Sequence, residues 1–278
     1  LPTSYAAGVD AQEASALSGL ALHRGGINFP ESGWIRPPTL VKALLDACGE
    51  RLTRRLGVTV GSLRRDGERW TALSEEGTPA ACAPVVILCT ASAALAGQRH
   101  LVTQRMGGKV THLRADAAPG LRTVLLDNGF AIPPVDGVVV TGATYEREGE
   151  TPLSASQADA ENLTRLAQLL GRSPEGIEVI GGRGGWRSVT RDRLPIIGAL
   201  PDEEAVLASS GSKLNELPRQ PGLYAALGYG SRGLLWSALG GELLAGLIDG
   251  GPLPVEGSLA KAIDPARFAL RTARRSRP

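Results

Sequence analysis

Ala226-Leu227-Gly228-Tyr229-Gly230-Ser231-Arg232-Gly233-Leu234 joins two patterned segments. Before it, Gly222 to Leu227 reads as a strand. After it, Leu234 to Ile248 is apolar almost all round, broken mainly by Ser237 and Glu242, which predicts a buried helix. Gly228, Gly230 and Gly233 match G-x-G-x-x-G between a strand and a helix. Glycine lets the backbone approach a phosphate or a ring, and a helix N-terminus presents free N–H groups to an anion. A dinucleotide fingerprint also needs a further strand and an acid about 20 residues on. Here the helix runs into Asp249-Gly250-Gly251-Pro252 and no strand pattern follows. The stretch therefore reads as a helix start aimed at a cofactor, outside a primary dinucleotide fold. A tight turn needed only for packing is the competing reading.

Outward from this turn the chain mixes helical and strand patterns without repeats. Arg36-Pro37-Pro38-Thr39 opens an amphipathic stretch through Leu40, Leu44, Leu45 and Cys48, closed by Gly49, which predicts a helix. Gly57-Val58-Thr59-Val60 reads as a short strand, and Asp66-Gly67 as the turn of a hairpin into Trp70-Thr71-Ala72-Leu73. The continuous apolar run Val85 to Cys89 predicts a strand buried on both faces. Val110–Leu113, Thr123–Leu126 and Val138–Thr141 read as strands of an antiparallel sheet, with Asn128-Gly129 as a hairpin turn. Ser156-Gln157-Ala158-Asp159 starts a helix whose stripe of Leu163, Leu166, Ala167 and Leu170 ends at Gly171 and should lie on that sheet.

Composition narrows the class. A chain of 278 residues with 42% hydrophobic and 21% charged content can bury a large core. It shows no apolar run of membrane-span length and no signal peptide pattern at Leu1-Pro2-Thr3-Ser4-Tyr5. Cys48, Cys82 and Cys89 form no C-x-x-C pair, and His23, His100 and His112 have no ligand spacing, so neither a disulfide framework nor a metal site is expected. A reducing, cytoplasmic setting fits. Net charge is +2, yet the last residues hold Arg267, Arg271, Arg274, Arg275 and Arg277 with no acid. Such a basic tail can contact phosphates or simply be solvated.

A second segment adds to the glycine turn. Gly185-Trp186-Arg187-Ser188-Val189-Thr190-Arg191-Asp192-Arg193-Leu194-Pro195-Ile196-Ile197-Gly198 lies about 30 residues upstream. The pair resembles the C-terminal half of the D-amino-acid oxidase-like flavoprotein family. Gly25 to Pro37, Thr190 to Pro195, Ala226 to Leu234 and the ending Ala262-Ile263-Asp264-Pro265-Ala266-Arg267-Phe268 are similar to one group within it. That group is the oxidase domain of bacterial bifunctional tRNA 5-methylaminomethyl-2-thiouridine biosynthesis proteins. The resemblance implies an α/β (α+β) chain: an incomplete three-layer FAD-binding domain plus an antiparallel-sheet substrate domain. It places substrate-domain segments at 1–30 and 96–180, FAD-binding segments at 31–95 and 181–265, and the basic tail at 266–278. It also implies that the family's first βαβ unit, with the true fingerprint, lies upstream, and the chain is expected to start inside a longer protein.

What the resemblance implies about function is specific. FAD would oxidise the carboxymethylaminomethyl group of wobble uridine in tRNA, releasing glyoxylate. A fused methyltransferase domain, for which this chain shows no pattern, would act next. Arg187 is the first candidate for binding the substrate carboxylate, with an ion pair inside the sheet as its other reading. Arg232 is the second, and could instead contact flavin or tRNA phosphate. Tyr145 is a candidate wall, with sheet packing as its other reading. Gly228, Gly230, Ser231, Arg232, Gly233 and Leu234 would meet the flavin, Val60 the adenine, and Thr90 with Ala91 the pyrophosphate. Lys109 stands where the family more often has glutamine. Two other readings stay open: an oxidase or dehydrogenase of free amino acids such as glycine or sarcosine, and a flavin-free module that binds tRNA or serves structure.

Overall fold

The computed structural model describes residues 1–91, 98, 99, 101, 103–208 and 213–275, without the side chains of 274 and 275. In chain order, the first 48 residues carry β1 (Ala7–Val9), α1 (Ala11–Ser18), β2 (Gly26–Asn28) and α2 (Pro37–Ala47). Then come β3 (Val60–Asp66), β4 (Arg69–Ser74), β5 (Pro79–Ala83) and β6 (Val86–Leu88). Next are β7 (Thr103–Arg114), β8 (Leu125–Leu126), β9 (Phe130–Val135), β10 (Val138–Gly142), β11 (Glu146–Arg147) and α3 (Ala155–Leu170). The last third holds β12 (Val179–Thr190), β13 (Ile196–Pro201), α4 (Glu203–Ala208), β14 (Arg219–Leu227), α5 (Gly233–Asp249), α6 (Gly257–Ile263) and α7 (Ala266–Arg275).

These elements form two units, one of Leu1–Cys48 with Gly107–Trp186, the other of Gly49–Met106 with Arg187–Pro278. The sequence reading put the changes after 30, 95 and 180. Helix α2 belongs to the first unit, where Arg36, its N-cap residue, pairs with Asp136.

In the first unit the sheet runs β11-β7-β10-β9-β8, with β12 also on β7. Helix α3 is capped two residues before the Ser156 start read from the sequence, and it ends at Gly171 as expected. Ser154 and Gln157 close a capping box, and Gly171 ends the helix in the left-handed region at φ 64°. Its Leu166 and Leu170 pack with Leu113, Leu121, Ala131 and Val139, placing the helix on the sheet. Beneath that stripe lies a polar clamp. Lys109 Nζ reaches Asp159 Oδ2 at 2.7 Å, Thr111 Oγ1 donates to Asp159 Oδ1 at 2.6 Å, and fully buried Asn162 donates to the Lys109 carbonyl and to Thr111 Oγ1, both at 3.0 Å. Lys109 thus anchors the helix to the sheet. Lys109→Met should strip a poorly solvated carboxylate of its cation and lower the unfolding free energy by about 2 kcal/mol, read by urea denaturation.

The second unit is built in three layers. Strand β14 pairs antiparallel with β13 and parallel with β6. Leu223, Ala225 and Leu227 face a core with Trp70, Leu88 and Ile196, whereas Tyr224 and Ala226 face Leu243, Leu244 and Ile263 on the other side. This alternation is the strand period of two. Sheet β3-β4-β5 covers the first side, tied on by Trp70 Nε1 donating to the Pro221 carbonyl at 2.9 Å. Helix α5 covers the second. The Asp66-Gly67 and Asn128-Gly129 hairpins form as read.

Several expectations are corrected. The strand read at Gly57–Val60 begins only at Val60, because Gly57 takes φ 72°. The run Val85–Cys89 is not buried on both faces, since Ile87 is 42% exposed on strand β6 at the sheet edge. Helix α5 is buried on one face only. Gly240, Leu243 and Leu244 pack inward, while Leu234, Leu235 and Leu247 face out, Leu235 at 80% exposure. Its composition predicted two covered faces, and the described residues cover one. The segment 266–275 is not a loose tail but helix α7, packed through Ala266, Ala269 and Leu270 on Val206 of α4. Arg277 lies outside the described residues. Cys48, Cys82 and Cys89 are free and exposed. Among the described residues no helix is long and apolar enough to cross a membrane.

Candidate functional site

The glycine turn leaves the sheet at the end of β14. Gly228 has φ 67° and Gly230 φ 57°, values a side chain disfavours. The next strand over, β6, runs parallel with Leu88 beside Ala225, so both chains emerge at the same edge. There the Gly228 amide donates to the Ala91 carbonyl at 3.3 Å. Thr90 and Ala91 therefore lie beside the turn, at the carboxyl ends of parallel strands where α/β sheets bind ligands.

Strand β12 closes the turn from the other side. Val189 bridges Tyr229 in antiparallel register. A Cβ on Gly230 would meet the Val189 methyls at 3.7 Å, and one on Gly228 would meet Thr190 Cγ2 at 3.1 Å. A side chain at 228 is thus strained by φ and tight against Thr190. Gly233 opens α5, whose first turn holds no acid and whose N-cap, Arg232, makes no side-chain cap. The helix thus supplies neither an acid nor a side-chain cap of its own to its first amides and positive dipole end.

The polar groups fit an anionic, hydrogen-bonding cofactor. Ser188 Oγ is buried with no hydrogen-bond partner among the described residues, and Arg187 Nη1 is buried on the same strand. Arg232 and Ser231 are exposed at the turn, and Leu234 is half-exposed. Tyr229 packs on α5, where a Cβ at Gly240 would come within 2.5 Å of its hydroxyl. Burial, with the Cys89 thiol nearby, pushes its phenol up to about 12, so it stays protonated at neutral pH.

Two more predicted residues belong to other elements of the chain. Val60 starts β3, opposite Ser74, in the β3-β4-β5 sheet. Tyr145, in the first unit, follows buried Thr144 and is 56% exposed. Sequence reasoning missed Ser188, Val189 and the partner of Asp192. Arg267 donates through Nε and Nη2 to the two oxygens of Asp192 at 3.0 and 3.1 Å, and Arg271 adds a third contact at 3.1 Å. Arg267 is only 6% exposed and also donates to the carbonyls of Leu194, Ile263 and Asp264. It is a structural residue, not the phosphate contact read from the basic tail. Partial burial works against the Asp192 charge, but the Arg267 hydrogen bonds and charge outweigh it and hold the carboxyl down to about 2.

The model of the FAD dependent oxidoreductase family matches residues 4–247. The chain belongs to that family. Its cofactor is FAD, and the turn from Gly228 to Gly233 offers the conformation, amides and dipole such a group requires. A tRNA 5-methylaminomethyl-2-thiouridine biosynthesis bifunctional protein of Burkholderia thailandensis is 42% identical over the whole of this chain and 44% of its own length. The chain thus spans less than half of that curated relative. Glycine oxidase from Geobacillus kaustophilus superposes with a TM-score of 0.73 at 23% identity, over 94% of this chain and 67% of that one. Iminodiacetate oxidase from Chelativorans sp. BNC1 gives 0.70 at 25% identity with the same coverage. The likenesses bear out the D-amino-acid oxidase-like α/β fold.

Proposed function

We propose that the protein oxidises the carboxymethylaminomethyl group of wobble uridine in tRNA, releasing glyoxylate and leaving the aminomethyl group. The observation that carries this is Arg187 on the strand laid over the glycine turn, in a chain 42% identical to a tRNA-modifying relative. FAD, when bound, supplies the two-electron acceptor.

The substrate is a secondary amine ending in a carboxylate. Arg187 binds that carboxylate through its planar fork, in surroundings poor enough in water to keep the pair strong. This fixes the methylene between nitrogen and carboxylate, so that its C–H bond breaks with both electrons leaving for the acceptor. The nitrogen loses its proton and a C=N bond forms. Water adds to that carbon, the C–N bond breaks, and glyoxylate departs from the primary amine. The turn amides and the start of α5 compensate negative charge on the cofactor side, Arg232 adds a cation there, and Ser188 Oγ is available to hydrogen-bond. Tyr229 is not a base, because its phenol holds its proton. The requirement for a neutral amine is then met by the substrate itself. A cytoplasmic setting and a fused methyltransferase partner go with this reading.

A second reading, oxidation of a free amino acid, is favoured by the likeness to iminodiacetate oxidase, whose named substrate also carries a carboxymethyl group on a secondary amine. One experiment separates them. The purified protein is mixed anaerobically with tRNA bearing the carboxymethylaminomethyl group, and the visible flavin bands are followed. Bleaching by this tRNA but not by glycine, sarcosine or iminodiacetate is expected. Bleaching by the free amino acids alone reverses the assignment, and a colourless protein that takes up no FAD removes both.

A further inference from the structure

The turn between β12 and β13 carries an unbalanced set of charges. Thr190 Oγ1 donates to the Leu194 carbonyl at 2.7 Å and the Arg193 amide to the Thr190 carbonyl at 3.1 Å, which fixes a tight turn. Within it, Asp192 is turned toward α7 and taken up by Arg267 and Arg271. Its neighbours Arg191 and Arg193 are exposed, and neither guanidinium makes an ion pair among the described residues. Two arginines thus hold this carboxylate, and two more flank it in sequence on the same turn. Arg267 is buried, so Arg191, Arg193 and the 56%-exposed Arg271 carry the excess to solvent. The same helix continues through Arg274 and Arg275.

The wider charge distribution points the same way. The unit holding this turn has twenty lysines and arginines against fourteen acids, and the other has ten against fourteen. The overall charge of +2 conceals this division. Exposed arginines on a hydrogen-bonded turn and on a packed helix, outnumbering the acid between them, suit a partner with regularly placed, permanently charged oxygens. Guanidinium matches phosphate oxygens in bidentate fashion, and each phosphate neutralised releases counterions.

We propose that Arg191, Arg193 and Arg271 form a fold-built docking face for the phosphate backbone of RNA, organised by Asp192 and α7. The RNA assignment rests on the reading above that the substrate is a tRNA. The face differs from a flexible basic tail in that two of its three cations come from the β12–β13 turn, about 80 residues from Arg271.

The test is tRNA binding by the purified protein, followed by fluorescence anisotropy between about 50 and 250 mM KCl. Arg191→Glu with Arg193→Glu should weaken binding at least tenfold at low salt. It should also flatten the log–log salt slope by about 1.4 to 1.8, since each lost phosphate contact removes about 0.7 to 0.9. FAD content and the thermal midpoint should match the parent. Arg191→Gln with Arg193→Asn is the fold-compatible second variant, because Arg193 sits at φ 58° and asparagine tolerates that region. It should show the same flattening with a smaller loss of affinity. Parental affinity and slope in this folded variant overturn the docking face, whatever the flavin result. Parental tRNA binding without flavin bleaching by modified tRNA overturns the proposed reaction instead.

Discussion

Arg187→Met should lower kcat/KM for the carboxymethylamino substrate by about 30- to 4,000-fold. Removing one member of a desolvated charge pair costs about 2–5 kcal/mol, and every 1.4 kcal/mol is a factor of ten. The effect should divide in an informative way. The carboxylate does not react, so Arg187 contributes both to holding the ground state and to aligning the methylene. KM should rise and kcat should fall with it. Arg187→Lys keeps the charge but not the two-pronged geometry, and should restore only part of the loss. Flavin content measured on the same samples separates substrate binding from cofactor retention. A variant with full FAD and parental kcat/KM would remove Arg187 from the site.

Arg267→Ala should cost about 3–5 kcal/mol of unfolding free energy, the range for breaking a buried ion pair. The reason lies in what it leaves behind. Asp192 would keep Arg271, itself half-exposed, and the Leu194 amide, and the carbonyls of Leu194, Ile263 and Asp264 would each lose one donor. The guanidinium also lies 4.1 Å from the centre of the Phe268 ring, so packing goes with the charge. The pH dependence has a definite sign. Asp192 titrates near 2 when folded, below its ordinary 3.8. Its contribution is therefore complete above about pH 4 and is lost as the pH falls through about 2. Acid unfolding profiles of the parent should show that loss, and the Arg267→Ala profile should be flatter in the same window. Identical profiles would show that the pair is not the cause.

Some of this was legible in the sequence because the signal was local. Helix α3 was legible from its stripe of Leu163, Leu166, Ala167 and Leu170 and from Gly171, since a left-handed stop needs only nearby residues, although its N-cap lies at Ser154 and not at Ser156. The hairpins at Asp66-Gly67 and Asn128-Gly129 were legible for the same reason. Strand β9 was not, because Pro133-Pro134 argues against a strand, although a register shift in its ladder accommodates them. Strand β12 was hidden by Gly181, Gly182, Gly184 and Gly185. The structure explains one of these: a Cβ at Gly182 would come within 2.7 Å of the Val110 carbonyl on β7, so glycine permits the close approach. At the site, the glycine turn and Arg187 were visible as motifs. The Asp192–Arg267 pair was not, because its members lie 75 residues apart and no local pattern links them. Helix α5 shows a different limit. Its composition states what it can bury, while its exposed leucines depend on which neighbours are present.

The interleaving of the two units sets an order on their synthesis. All segments of the first unit exist once the ribosome has passed Trp186, so its sheet can close around Lys109 and Asp159 while the rest is still being made. The second unit must wait. The turn at Asp192 has no permanent partner until Arg267 leaves the exit tunnel, and strands β3 to β6 are made long before β14. During that interval hydrophobic strand surface stands uncovered, which is when nascent chains associate wrongly. The glycine turn is therefore among the later parts of the second unit to take shape, and a cofactor can meet a finished cradle only after α7 has docked.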